Sequence, residues 1–246
     1  MSHGRFNNPV QAVLTGLKDL FGKQDLEDRF DDNNRIEGKT CVVTGANTGL
    51  GYAIAVQLAQ RGGNVIMACR SGIPEAGERV KADSGSDKVK MMKVDLSDVP
   101  SIHAFCDALK KENMSIDILV LNAGVAPPKA RKTKAGLDEM FMVNYLANFM
   151  LMHRLLQDGS LPNQKFAQNA QVGDRPRVLF ISSDSHQNAS AIDYEEFGTY
   201  FDYGVGKSIN NYSYFKLVLN TFAVELDRRI NEGNPVDVTV DVMCPG

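Results

Sequence analysis

This chain is poor in the residues that build disulfides, metal sites or nucleic-acid interfaces. Its four cysteines, Cys41, Cys69, Cys106 and Cys244, are scattered, and none makes a CxxC pair. They read as apolar fillers in a reducing compartment rather than as disulfides or zinc ligands. The four histidines are equally dispersed, so no metal site is expected. There is no basic block and the net charge is −3, so the footprint of a nucleic-acid binder is missing. No apolar run is long enough to span a bilayer. The first apolar cluster is interrupted by Lys18 and Asp19, which argues against a signal peptide. The expected location is the cytoplasm or the periphery of an intracellular membrane.

What is present suits one α/β domain. A chain of 246 residues is long enough for one, and no second domain is required. Residues 1–38 read as an extension. Val10, Val13, Leu14, Leu17, Leu20 and Phe21 recur at helical spacing and form one apolar stripe. Such a short helix could dock on its own domain or on a partner. Peripheral membrane contact is the sharper alternative, weakened by a polar face that is not strongly basic. The polar stretch Gln24 to Glu37 reads as a linker or irregular wrap.

From Gly38 strands and helices alternate. Strands are expected at 40–44, 64–69, 88–94, 116–121, 177–181 and 236–243. Helices are expected at 50–60, 74–81, 97–111, 135–157 and 211–230, with Ser97 as a cap and Pro74 in a first turn. This alternation implies a doubly wound, Rossmann-type parallel sheet with helices on both faces.

The chemistry-bearing segments lie at strand ends. Thr44-Gly45-Ala46-Asn47-Thr48-Gly49-Leu50-Gly51 joins the first strand to the first helix. Its G-x-x-x-G-x-G spacing differs from G-x-G-x-x-G. The physics is still that of a phosphate cradle, because glycines admit a close approach and a helix N-terminus offers free amides. The second strand ends in Ala68-Cys69-Arg70 with no carboxylate for a ribose 2′-hydroxyl. Arg70 instead suits a 2′-phosphate, which favours NADP(H) over NAD(H). Asp95, in Asp95-Leu96, could accept from an adenine amino group or cap the next helix. Asn122-Ala123-Gly124 could lie against a cofactor or be only a turn. Tyr212 and Lys216, four apart, share one helix face and can place a cation beside a phenol.

Together these segments resemble the short-chain dehydrogenase/reductase family. Val143-Asn144-Tyr145-Leu146, Ile181-Ser182-Ser183 and Cys244-Pro245-Gly246 extend the resemblance to the end of the chain. Residues 65–70 and 131–136 resemble its retinol-dehydrogenase-like branch. The resemblance implies an enzyme that interconverts an alcohol and a carbonyl on a small or lipophilic substrate, retinoid- or steroid-like molecules among them. Tyr212 would be the acid or base, its phenol lowered from about 10 by Lys216. Lys216 would also bind the nicotinamide ribose, and Ser183 would hold the substrate oxygen. Asn144 would complete a proton relay through water to Lys216. Gly45, Asn47, Thr48, Gly49, Leu50, Gly51, Arg70, Asp95, Leu96, Asn122, Ala123, Gly124, Tyr212, Lys216, Pro245 and Gly246 would contact the cofactor. A homodimer through the two long helices is also implied.

Some features depart from that pattern. The chain stops at Pro245-Gly246, where the family continues, so residues 39–246 are expected to be a C-terminally incomplete oxidoreductase domain. Water would then reach the reacting centre more easily, and a non-catalytic cofactor-binding or regulatory short form is the rival reading. Tyr145 stands where the branch usually has histidine, and Leu121 where many members carry the first of two asparagines. The aromatic-rich excursion between Ser183 and Tyr212 could wall a substrate pocket or be an ordered surface loop.

Overall fold

The computed structural model describes residues 34–170, 175–233 and 236–245. The amphipathic stripe at Val10 to Phe21 and the cofactor contact assigned to Gly246 lie outside the described residues.

Six parallel strands form one sheet in the order β3-β2-β1-β4-β5-β6. They are β1 (Thr40–Thr44), β2 (Asn64–Cys69), β3 (Val89–Lys93), β4 (Ile118–Leu121), β5 (Arg177–Ile181) and β6 (Thr239–Met243). The order reverses between β1 and β4, so a crevice opens beyond their carboxyl ends. Helices α1 (Gly49–Gln60) and α2 (Glu75–Ser84) cover one face. Helices α3 (Val99–Lys111), α5 (Ala147–Gln157) and α6 (Val205–Asn231) cover the other. A short α4 (Glu139–Phe141) runs through a π-helical segment (Met142–Leu146) into α5.

The two faces are built by alternation along each strand. Cys41, Val43, Val65, Met67 and Val120 enter the α1–α2 core, whereas Val42, Ile66, Leu119, Leu121 and Phe180 enter the other. Successive residues of a strand point to opposite faces, and here both faces are dry. Each such side chain contributes about 1.5–3 kcal/mol by leaving water. Leu121, at the asparagine position, is one of these core residues. Ile36 also packs on the α1–α2 side, and its amide donates to the Arg61 carbonyl at 2.9 Å. Among the described residues β6 pairs only with β5, and Val242 and Met243 are exposed.

Several boundaries differ from expectation. Ser97 does not cap α3. It caps a tight turn instead, its hydroxyl donating to Asp95 Oδ1 at 2.7 Å, and Asp98 precedes the helix. Residues 135–138 are not helical, because Lys132 bridges Asp138 and Gly136 takes φ +82° in the intervening turn. Asp138 then caps α4 by accepting from the Phe141 amide at 3.0 Å. α6 begins at Val205, six residues before the expected start, which leaves Tyr212 and Lys216 well inside a continuous helix.

Candidate active site

The glycine loop follows β1 directly. Gly45 and Gly49 take φ +65° and +57°, the left-handed region that glycine enters without steric cost. Gly51 is needed for space: a Cβ there would stand 2.4 Å from Asn122 Nδ2 and 2.5 Å from the Gly45 carbonyl oxygen. Thr48 precedes α1 with no side-chain capping bond, so the first-turn amides of α1 remain available to an anion.

Thr44 and Asn122 lock this loop to the end of β4. The buried Thr44 Oγ1 accepts from the amides of Asn122 at 3.0 Å and Ala123 at 3.1 Å. Asn122 Nδ2 donates to the carbonyls of Thr44 at 3.0 Å and Gly45 at 3.3 Å. The sequence reading named Thr44 only as the start of the glycine loop and missed this locking role, for which a hydroxyl at the strand end is the available signal.

A cleft of about 380 Å³ opens at the sheet's switch point. Gly45, Asn47, Thr48, Leu50, Gly51, Arg70, Asp95, Leu96, Asn122, Ala123 and Gly124 all line it, whereas Gly49, Tyr212, Lys216 and Pro245, also expected at the cofactor, do not. Val94, Val125 and Val143 also line it and were not anticipated, since apolar wall residues have no motif. Asp95 accepts from the Ser97 amide at 2.9 Å. Burial opposes its ionisation, but the Ser97 hydrogen bonds and the charges of Arg70 and Lys134 outweigh burial and hold it below the ordinary carboxylate range.

From α6, Lys216 reaches the Gly124 wall of this cleft. Lys216 is 3% exposed and donates from Nζ to the Ile181 carbonyl at 2.7 Å. Gly124 lies between two expected site residues: a Cβ there would be 3.4 Å from Asn144 Oδ1 and 3.6 Å from Lys216 Nζ. Burial pulls the Lys216 ammonium down to about 8. The Tyr212 phenol is pushed up by burial, opposed by a hydrogen bond with Ser183. This corrects the expectation that Lys216 lowers it. The Lys216 ammonium is held by Ile181 and stands 5.6 Å from the Tyr212 ring centroid, and desolvation of the phenol prevails.

Asn144 stands beside Lys216 on the Gly124 wall. It is fully buried in the π-helical segment, accepting from the Val125 amide at 2.8 Å and donating to the Val125 carbonyl at 2.9 Å. Its side chain is therefore committed to the cleft wall. Ser183 sits in extended backbone after β5, its Oγ accepting from the Ser185 amide at 3.3 Å. Tyr214 is tied to the excursion, exchanging hydrogen bonds with the Asp193 backbone at 3.1 and 3.2 Å. Within the excursion, Phe197 packs edge-on to Phe141 and to Tyr145, while Tyr194 is 75% exposed. Tyr145 points into this aromatic cluster, and burial raises its phenol. Pro245 is exposed beyond β6, and Cys244 Sγ lies 4.0 Å from His186 Nδ1. No group of His, Cys, Asp and Glu among the described residues could hold a metal ion. No helix among them is long and apolar enough to cross a membrane.

A doubly wound α/β domain with a glycine loop at its switch point and a Tyr–Lys helix beside it defines a dinucleotide-binding class of protein. The short chain dehydrogenase family matches residues 39–190. Retinol dehydrogenase 13 of Mus musculus is 34% identical over 215 residues, covering 86% of this chain and 59% of the relative. Retinol dehydrogenase 12 of Homo sapiens is 32% identical over 216 residues, covering 87% and 63%. The chain thus spans about three fifths of the length of these curated relatives. Among solved structures, an uncharacterized protein from Mycobacterium Paratuberculosis superposes with a TM-score of 0.69 at 28% identity, covering 88% of this chain and 72% of that one. Pseudomonas aeruginosa RhlG, solved with NADP, superposes with a TM-score of 0.66 at 21% identity, covering 88% and 75%. The chain belongs to the short-chain dehydrogenase family and resembles its retinol dehydrogenases.

Proposed function

We propose that this domain binds NADP(H) and interconverts an alcohol and a carbonyl on a small or lipophilic substrate. The observation that carries the reading is the position of Gly124. It lines the nucleotide-sized cleft, and its missing side chain leaves the Lys216 ammonium against the same wall. The cradle fits a dinucleotide: Gly51 has no room for a Cβ, and the α1 amides have no side-chain cap. Arg70 lines the cleft at the end of β2 and is the group assigned to a 2′-phosphate.

When bound, the nicotinamide gives or takes the hydride. The remaining chemistry belongs to the chain. Ser183 orients the substrate oxygen through its hydroxyl, and Tyr212 exchanges a proton with that oxygen. Burial keeps the phenol protonated in the free protein, the form in which it can give a proton to a carbonyl oxygen. Lys216 supplies positive charge at the end of the cleft and a donor for ribose hydroxyls. Holding these groups in register supplies much of the acceleration. Retinoid-like substrates are suggested by the names of the retinol dehydrogenases it resembles, steroid-like substrates and a homodimer through α5 and α6 by the family resemblance, and peripheral membrane contact by the apolar stripe at Val10 to Phe21.

The test is titration with NADPH and NADH, by fluorescence or calorimetry, beside Arg70→Ala. We expect NADPH to bind more tightly than NADH, and Arg70→Ala to abolish that difference. A screen of carbonyl substrates with NADPH follows, with Tyr212→Phe as the inactive control. Folded protein that binds neither nucleotide would overturn the reading.

A further inference from the structure

Arg70 is not alone at the mouth of the cleft. Its Nη1 lies 3.9 Å from Glu139 Oε1, and the other oxygen of that carboxylate pairs with Arg131 Nε. The carboxylate is nearly buried, at 11% side-chain exposure, whereas the two guanidinium groups are 59% and 55% exposed. Its backbone is held too, because the Glu139 amide donates to the Arg131 carbonyl at 2.8 Å. Glu139 therefore has little freedom, whereas the Arg70 side chain is the exposed partner. One helical turn on, Val143 lines the cleft, so Glu139 sits at the rim of the wall that faces Arg70. Asp95 also faces Arg70 and lines the cleft.

We propose that Glu139 is a specificity-determining residue: its fixed carboxylate competes with the cofactor's 2′-phosphate for Arg70 and thereby limits the preference for NADP(H) over NAD(H). This rests on the reading of Arg70 as the 2′-phosphate partner. An NADP(H) site gains from guanidinium groups that are free to form bidentate contacts with the phosphate. Here the guanidinium is paired at 3.9 Å with an anion that draws it toward itself, and a phosphate bound to Arg70 would face that anion too. A phosphate of charge about −2 placed about 6 Å from a carboxylate in a water-like medium loses roughly tenfold in affinity. NADH carries no such phosphate and escapes this penalty.

The experiment measures the dissociation constants of 2′,5′-ADP and 5′-AMP by calorimetry at low salt, for wild type, Glu139→Gln, Arg70→Ala and the double variant. Glu139→Gln keeps the shape and a hydrogen-bonding group for Arg131 while removing the charge. We expect it to tighten 2′,5′-ADP about tenfold and to leave 5′-AMP within about twofold. In the Arg70→Ala background the carboxylate–phosphate repulsion remains but the competition for the guanidinium is gone, so the same change should give a smaller gain there than in wild type. Glu139→Asp, which draws the carboxylate back from Arg70 with the charge retained, should shift 2′,5′-ADP in the same direction, and it serves if Glu139→Gln does not fold. Unchanged or weaker 2′,5′-ADP binding in these Glu139 variants would overturn the proposal, as would an equal gain in both backgrounds. Weaker 5′-AMP binding in Glu139→Gln would overturn it too, by assigning the carboxylate to the ribose hydroxyls. If Arg70→Ala itself leaves 2′,5′-ADP binding unchanged, the assignment of Arg70 fails, which is a different result from failure at Glu139.

Discussion

Gly51 and Gly49 sit two residues apart in the same loop, and the structure assigns them different physical roles. Replacing Gly51 by alanine puts a methyl carbon 2.4 Å from Asn122 Nδ2 and 2.5 Å from a backbone oxygen. Asn122 could swing aside only by losing its bonds to the Thr44 and Gly45 carbonyls, at about 1 kcal/mol each. The Gly45 carbonyl could move only with the loop itself. Against this stands the helix propensity of alanine, which returns about 1 kcal/mol. With an overpacking cost of about 1–3 kcal/mol, the net loss is about 2–4 kcal/mol. Replacing Gly49 meets no atom within 4 Å, but its φ of +57° remains. The cost there is about 1 kcal/mol of backbone strain. For a domain of this size these losses lower Tm by about 9 °C and about 3 °C respectively. Thermal unfolding followed by circular dichroism reads the difference directly. Calorimetry with 2′,5′-ADP should show Gly51→Ala weakened at least about tenfold, because the cradle must open to admit the methyl group. A Gly51→Ala protein that melts within about 1 °C of wild type and binds 2′,5′-ADP normally would refute the close-approach account.

Other consequences follow from the buried groups. Lys216 titrates near 8 when folded, below its ordinary 10.5. Between those values the unfolded chain holds more protons, so this residue's contribution to stability rises with pH. From pH 8 to pH 10 wild type should gain about 2 kcal/mol relative to Lys216→Met in urea unfolding, and parallel profiles would sink the assignment. Asn144→Ala would leave both the Val125 amide and carbonyl without their partner inside the domain. We expect a loss of about 2–3 kcal/mol, and a change below about 0.5 kcal/mol in urea unfolding would contradict it. Tyr212 should remain protonated above pH 10 in the free protein, because burial raises its phenol. The difference in ultraviolet titration between wild type and Tyr212→Phe isolates it, and ionisation near neutral pH would restore the view that Lys216 dominates.

The one-dimensional pattern determines much of this molecule. Alternating apolar segments of strand and helix length dictate a parallel sheet covered on both faces, because each strand must bury both sides. Short-range spacing also determines that Tyr212 and Lys216 share a helix face, and that glycines occupy the turn after β1. The 136 turn and the early start of α6 were not legible, since propensity yields there to local hydrogen bonds and tertiary packing. The charge state of Tyr212 was not legible either: a four-residue spacing brings a cation near, but only the packed fold decides how far desolvation outweighs it. The same holds for Asn144, whose amide is consumed by Val125, and for Glu139, 69 residues from Arg70 along the chain. Local periodicity can be read from neighbours in sequence. The balance of burial, charge and hydrogen bonding at the cleft depends on side chains that only the sheet order brings together.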